Sequence, residues 1–357
     1  MSEKISSFQL YNIMLLSRIF AIVTYAVGIR QAVSGTNAVA VSFLSGVLLL
    51  VLSIPAAILI KTGNGKSLLE RSHNISRVAE ILVGAILLID CLFFAFMTCA
   101  RFELLAGSVM FPEKNVMPFV ILIVAVSALS AMRGLETIAR SGFLFLFPVV
   151  ASFLFVFLTS LEDFDTLNFT PLFYDSINNL PDMSLYAALR SGELSAIILL
   201  YDKTRNQKAR NIFIWAGVIT VLITITRIIM TGVLGSFEET QLFSMYSLTV
   251  HAKLGFIERL DAIITCIWMV CAGVKLAVAF YLCRHILTHI FGAKRDKLYV
   301  ISSLFVVLLL TFFTSRSVLN FSKIVKSDFV IIIGLLAVVV VPIFVIILEK
   351  IRRRNYA

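Results

Sequence analysis

The residues able to do chemistry in this chain sit inside apolar segments of membrane-span length. Ser184 to Lys203 reads Ser-Leu-Tyr-Ala-Ala-Leu-Arg-Ser-Gly-Glu-Leu-Ser-Ala-Ile-Ile-Leu-Leu-Tyr-Asp-Lys, with Arg190, Ser191, Gly192, Glu193 and Ser195 in its middle. A charged side chain near a bilayer centre costs about 2.5 kcal/mol or more, so it faces protein or water and not lipid. Helices broken at Ser/Gly build substrate sites in many secondary transporters. Arg18 lies about midway along the first apolar segment, in Leu-Leu-Ser-Arg-Ile-Phe-Ala. The expectation is that Arg18 and Glu193 neighbour each other beside a ligand cavity, either paired directly or bridged by a charged ligand. The competing reading is a purely structural ion pair that fixes packing. The candidate ligand-binding set is Ser17, Arg18, Thr24, Tyr25, Thr98, Ser191, Gly192, Glu193 and Ser195.

Other intramembrane charges have two readings each. Asp90, in Leu-Leu-Ile-Asp-Cys-Leu-Phe, is either a proton site or the structural partner of Arg227 or Lys275. Arg227 is near enough to the outer end of its segment to snorkel. Lys275, about two turns from the inner end of its segment, either snorkels too or stands in for a coupling cation. Glu258, Arg259 and Asp261 open the eighth segment, where acidic groups in a first helical turn are favoured by the helix dipole. Trp268 further along reads as a packing aromatic.

The elements that must position these groups are helices in a bilayer. The chain has 357 residues, 59% hydrophobic and 15% charged, with a mean hydropathy of +0.97. Soluble domains average about 25% charged residues. Apolar runs fall at roughly 9–29, 38–60, 78–100, 116–132, 143–160, 185–201, 211–234, 256–283, 298–314 and 328–348. This predicts an all-α polytopic membrane protein of ten transmembrane helices. Segments on one side hold nineteen Lys and Arg and those on the other side seven. The positive-inside rule therefore predicts that both termini are cytoplasmic. The loop at 161–184 carries Glu162, Asp163, Asp165, Asp175 and Asp182 with no basic residue, and it divides the spans into five and five. An odd number per half gives halves of opposite topology, about 1–160 and 185–348 within a single domain 1–357, as two inverted five-helix repeats with broken first and sixth helices require. The segment 238–252 mixes polar and apolar positions and reads as either an interfacial helix over the outer mouth or a loop.

Several signals lead elsewhere. The net charge of +10 would point to nucleic acid in a soluble protein, but here it reflects basic loops, and no nucleic-acid partner is expected. Cys91, Cys99, Cys266, Cys271 and Cys283 all fall in predicted spans without a CxxC and read as packing residues. Gly63-Asn-Gly-Lys-Ser67 resembles the end of a phosphate-binding loop, but the required earlier glycine falls at Ile60 and no strand precedes it, so it reads as a turn. His285 and His289 have i,i+4 spacing but lie among Arg284, Lys294 and Arg295, which reads as a solvated basic helix end and not a metal site. No arrangement suggests catalysis, and neither a metal nor another cofactor is expected. Met1 to Ser7 is short and polar, so no cleavable signal is expected.

Three short stretches carry a resemblance. Ile5-Ser-Ser-Phe-Gln9 precedes the first span, Arg133-Gly-Leu-Glu-Thr-Ile-Ala-Arg-Ser141 lies between the fourth and fifth, and Phe256-Ile-Glu-Arg-Leu-Asp261 leads to Trp268 and Lys275 in the eighth. In this order and over essentially the whole length, they resemble the membrane-permease subunit of bacterial spore germination receptors, a branch of the amino acid–polyamine–organocation transporter superfamily. The resemblance implies a germinant-sensing subunit in the inner membrane of the spore. It would bind a small nutrient, such as an amino acid, in a transporter-like cavity and work with a second membrane subunit and a lipoprotein subunit. A proton- or cation-coupled amino acid transporter is the alternative. The motifs place Glu136, Arg140, Glu258, Arg259, Asp261, Trp268 and Lys275, together with Asp90, in coupling or structural roles. The first span departs from the superfamily pattern. It reads Ser17-Arg-Ile-Phe-Ala-Ile-Val-Thr-Tyr25 where transporters have a Gly-rich carboxylate site, and the next glycine is Gly28. Either Arg18 supplies the anion contact, or the ligand is not an amino acid.

Overall fold

The computed structural model of the chain describes residues 4–24, 35–63, 65–110, 115–170, 179–251, 261–314 and 318–355. Helices account for nearly all of them. α1 is Ser7–Val23, α2 Gly35–Thr62, α3 Leu68–Ile75, α4 Arg77–Leu105, α5 Met117–Arg133 and α6 Leu135–Ser160. α7 is Leu180–Leu189, α8 Glu193–Leu200, α9 Ala209–Leu234, α10 Ser244–His251 and α11 Asp261–Phe291. α12 is Asp296–Thr314, α13 Val318–Lys326, α14 Phe329–Leu335 and α15 Val341–Asn355, with the π-helical turn Leu336–Val340 joining α14 to α15. The two-residue strands β1 (Ile5–Ser6) and β2 (Thr204–Arg205) pair in parallel.

Seven helices among the described residues are long and apolar enough to cross a membrane, and α7 with α8 makes an eighth as a pair bent by 41°. α1 and α5, at 17 residues each, are apolar but shorter. Every apolar run read from the sequence is occupied by one of these helices, with shifted ends. The sixth begins at Leu180 and not at 185, because Pro181 stands in its first turn, where a missing N–H costs nothing. The eighth runs on to Phe291 and not 283, because its last turns pack on protein, as described below.

α11 is the most buried of the long helices and lies against α4, α5, α1, α6 and α12, while α2 packs along α9 and α7. Small residues set the closest approach. A Cβ on Gly46 of α2 would come within 2.3 Å of the Thr220 side chain on α9, so only glycine allows that crossing. Outward faces remain apolar: Leu144, Phe147 and Phe313 are among the most exposed side chains. In water such a surface would aggregate, whereas in a bilayer it meets its own solvent.

One end of the bundle collects the basic segments. There Ser67 and Glu70 cap α3 reciprocally, so Gly65-Lys-Ser67, the described end of the stretch that resembles a phosphate-binding loop, leads into a helix. Arg71 of α3 donates from Nε and Nη2 to the Glu349 carboxylate of α15 at 2.9 and 2.6 Å, and from Nη1 to Leu59 O at 3.1 Å. The Tyr201 hydroxyl donates to Lys66 O. At the other end, the segment after α6 folds back on α9. The Asp165 amide and the Asn168 side chain both donate to Gly232 O, at 2.9 and 2.7 Å. The stretch read as an interfacial helix or a loop holds a 3-10 turn and then α10, whose Met245 and Leu248 are buried in the bundle.

Candidate functional site

Glu193 stands where α7 gives way to α8. α7 ends at Leu189, and Gly192 takes φ 72°, a left-handed conformation that glycine adopts without a Cβ penalty. The Phe94 ring lies against it, 2.5 Å from where a Cβ would be. Glu193 then opens α8, where a carboxylate is favoured by the positive end of the helix dipole.

Three donors from two other helices converge on that carboxylate. Ser17 Oγ donates to Oε1 at 2.9 Å and Arg18 Nη1 to Oε2 at 3.3 Å, both from α1. Lys275 Nζ donates to Oε1 at 3.2 Å from α11. Glu193, Arg18 and Lys275 are 3%, 1% and 7% exposed, so the charges are compensated by one another and not by solvent. The two arginines also tie open helix ends crosswise. Arg18 Nη2 donates to Ala187 O in the last turn of α7 at 3.4 Å, and Arg190 Nη2 donates to Ala21 O in the last turn of α1 at 2.8 Å. Carbonyls in a last turn lack intrahelical donors, and a cation there is favoured by the dipole.

Two small cavities flank the network. One, about 40 Å³, is lined by Arg18, Arg190, Arg227, Ser42, Ser45 and Thr226. The other, about 30 Å³, is lined on its polar side by Ser17, Ser191, Glu193, Ser195 and Lys275, with Phe94 among its apolar residues. The Arg18–Glu193 pair stands between them, and each cavity has room for no more than a few waters. Ser191 Oγ is buried without a hydrogen-bond partner among the described residues, and Ser195 Oγ donates to Gly192 O at 2.9 Å. Asp90 is fully buried next to Ser195, and neither of its oxygens has a hydrogen-bond donor at ordinary geometry. Arg101, which the sequence reading passed over, is 6% exposed and lies within Coulombic range of both Arg18 and Lys275. No carboxylate within ion-pair distance faces it among the described residues.

The structure therefore brings Ser17, Arg18, Ser191, Gly192, Glu193, Ser195 and Lys275 together, with Asp90 at the edge. It does not bring Thr24 or Thr98 to either cavity. Their hydroxyls donate back to Phe20 O and Phe94 O at 2.7 and 2.6 Å, the internal satisfaction open to threonine in an apolar helix. Asp90 pairs with neither Arg227 nor Lys275. Arg227 does not snorkel: it is buried and bonded to Glu238, which also accepts from Thr231 Oγ1 at 3.3 Å. Nor does Lys275 snorkel, since Glu193 holds it in the core. Asp261 accepts from Tyr246 Oη at 3.0 Å, and Trp268 donates to Ser152 Oγ at 3.1 Å, so both join helices away from the network. Glu136 and Arg140 form an exposed i,i+4 pair at 2.6 Å. Tyr25, Glu258 and Arg259 lie outside the described residues.

The end of α11 is not a solvated basic tip. His289 and His73 place their Nδ1 atoms 2.8 and 2.6 Å from the two oxygens of Glu80, which is fully buried, and Arg77 adds a third contact at 2.7 Å. Arg284 of the same helix donates to Ala131 O and Met132 O in the last turn of α5, at 3.1 and 3.2 Å. Glu80 and His289 are too far apart in sequence for spacing to have joined them.

A family model described as a spore germination protein, the spore permease, matches residues 4–319. The chain belongs to this spore permease family. Among curated proteins none matches it. The family and the apolar helices together make the chain a multi-pass membrane protein of a spore germination family.

Proposed function

We propose that this spore permease is the germinant-binding subunit of a nutrient receptor. It binds a small nutrient, an amino acid in the first instance, at the Glu193 network and triggers germination. One observation carries this reading: a buried carboxylate at a helix break, held by donors from three residues; the two water-sized cavities beside it must widen at that break to admit a nutrient. Three buried cations (Arg18, Arg101, Lys275) face two buried carboxylates (Glu193, Asp90) in this region, an excess that a ligand carboxylate would neutralise. The unpartnered Asp90 carboxylate and Ser191 hydroxyl suit a ligand ammonium. Ligand binding shifts a two-state protein only through different affinity for the two states. The break at Gly192 is the element whose arrangement differs between them.

The reading takes the chain as ten spans, counting α1 and α5 as short ones and α7 with α8 as one, arranged as two inverted five-helix repeats. It places the protein in the inner membrane of the spore, with the basic end of the bundle and both termini cytoplasmic. It also gives the protein a second membrane subunit and a lipoprotein subunit as partners. Spores carrying Glu193→Gln test it, with germination followed against amino acids, sugars and nucleosides and immunoblots for the receptor subunits. Loss or shift of the response with the proteins present supports the site, and an unchanged response overturns it. Lys275 is a fixed ammonium inside the bundle, bonded to Glu193, and such a group can take the place of a coupling cation, which favours a second reading as a coupled amino acid carrier. Gradient-driven accumulation by the isolated chain in proteoliposomes separates the two.

A further inference from the structure

A hollow much larger than the two cavities beside Glu193 lies on another face of the described bundle. It is a groove of about 390 Å³ between α1, α6 and α9, with Phe8, Tyr11, Asn12, Leu15, Trp215 and Val218 in its wall. Phe8 and Val218 are 60% and 50% exposed, so the groove opens on the outward, apolar face of the bundle. At its floor, Asn12 and Trp215 are each 4% exposed. Both polar atoms of the Asn12 amide and the Trp215 indole N–H lack a partner among the described residues. Three unmet polar atoms at one place in a bilayer are costly, and they are met when something enters from the lipid side.

The mouth of the groove is basic. Ser7, in its wall, donates to Arg205 O and Asn206 O at 3.1 and 3.2 Å, which places the 205–210 segment at the rim. Arg205, Lys208 and Arg210 on that segment are exposed, and none forms an ion pair among the described residues. An apolar body, hydrogen-bonding groups below the rim and uncompensated cations at the rim match one occupant in cross-section. We infer that the groove is a binding site for an anionic phospholipid with a hydroxylated headgroup. One acyl chain lies along Phe8, Leu15 and Val218. The ester carbonyls accept from Asn12 and Trp215, a headgroup hydroxyl donates to the Asn12 carbonyl oxygen, and the phosphate faces the basic rim. A partner's transmembrane helix fits less well. Its backbone polar groups are already paired within the helix, so it offers the Asn12 amide and the Trp215 N–H no partner, and an apolar helix offers the basic rim no anion.

Trp215 is a built-in reporter, because the only other tryptophan is the fully buried Trp268. The purified chain is placed in phosphatidylcholine liposomes, and a rising fraction of the lipid is replaced by dibrominated phosphatidylglycerol or by dibrominated phosphatidylcholine. The Trp215→Phe chain supplies the Trp268 background. Trp215 emission is expected to fall at a clearly lower mole fraction of the glycerol lipid than of the choline lipid. Substituting Arg205, Lys208 and Arg210 by Ala should lower that preference, by up to about fivefold per cation at low salt. Asn12→Leu should lower it as well without touching the rim. Equal quenching by the two lipids overturns the site as ordinary boundary contact. Absence of quenching by either shows that protein or water fills the groove and overturns it too. A glycerol-lipid preference that survives both sets of substitutions overturns the assignment of the rim and floor.

Discussion

Glu193 receives Ser17, Arg18 and Lys275 on two oxygens, so removing its charge and removing its place in the packing are separable experiments. Glu193→Gln keeps the shape but leaves two buried cations facing an amide. Breaking a buried pair on one side costs about 3–5 kcal/mol, so the thermal midpoint in detergent, read by fluorescence-detected gel filtration, should fall. Glu193→Gln combined with Lys275→Met removes one orphan charge and should recover much of the midpoint. Germinant response should not return with it. A double variant that regains both would make the network structural. At the same scale, Arg71 offers a contrast. Burial pushes its guanidinium down, but the Glu349 carboxylate more than offsets this and holds it above the usual arginine range. A basic group with a raised folded value contributes its stability below the unfolded value, which for arginine covers all practical pH. The latch therefore yields to mutation and not to loss of the arginine proton. Arg71→Lys cannot reproduce the two-pronged contact and should lower the midpoint measurably.

Among the elements, the break between α7 and α8 depends most on one residue. Gly192→Ala meets two penalties: a left-handed φ costs about 1 kcal/mol for a residue with a Cβ, and the new methyl runs into Phe94. The chain should respond by moving the break, and the germination response should shift to higher nutrient concentration. Adding Phe94→Ala relieves the clash but not the φ, so partial recovery is expected; full recovery would mean that the handedness of Gly192 is irrelevant. The break was legible in the sequence, because Arg190-Ser-Gly-Glu193 cannot continue a lipid-facing helix. The neighbourhood of Arg18 and Glu193 was legible too, since two charges in two spans need company. The arrival of Lys275 on the other oxygen of Glu193 was not, because nothing in the spacing of α11 says which of its faces meets α8. The backbone bonds of Thr24 and Thr98 were not legible for a similar reason: a hydroxyl in an apolar helix suits a ligand or its own backbone equally well in sequence.

For the whole molecule, hydropathy located the long apolar helices but neither α3 nor α13, and it could not show how the helix ends are tied. Arg71 with Glu349, and Glu80 with His289, join segments far apart in the chain. Arg71, which reads in sequence as an ordinary loop residue, and Glu80, which reads as the first turn of a span, both prove to be buried. Gly46 belongs here as well. Gly46→Ala should loosen the α2–α9 crossing and lower the thermal midpoint, because the Thr220 side chain already occupies the space a methyl needs. Thr220→Ala in the same chain should restore part of it. If Gly46→Ala alone is as stable as the native chain, the crossing is looser than 2.3 Å implies.

The pairing of Ile5–Ser6 with Thr204–Arg205 also sets a timetable for biosynthesis. The first helix leaves the ribosome with Arg18, but Glu193 and the strand that holds its entry follow some two hundred residues later. At about 5–20 residues per second that interval is roughly 10–40 s. Throughout it, a charged helix sits in or beside the membrane without its counter-ion, a situation that costs about 2.5 kcal/mol or more. The nascent first half is then a substrate for insertion factors or for membrane proteases, and its survival is decided when Glu193 emerges.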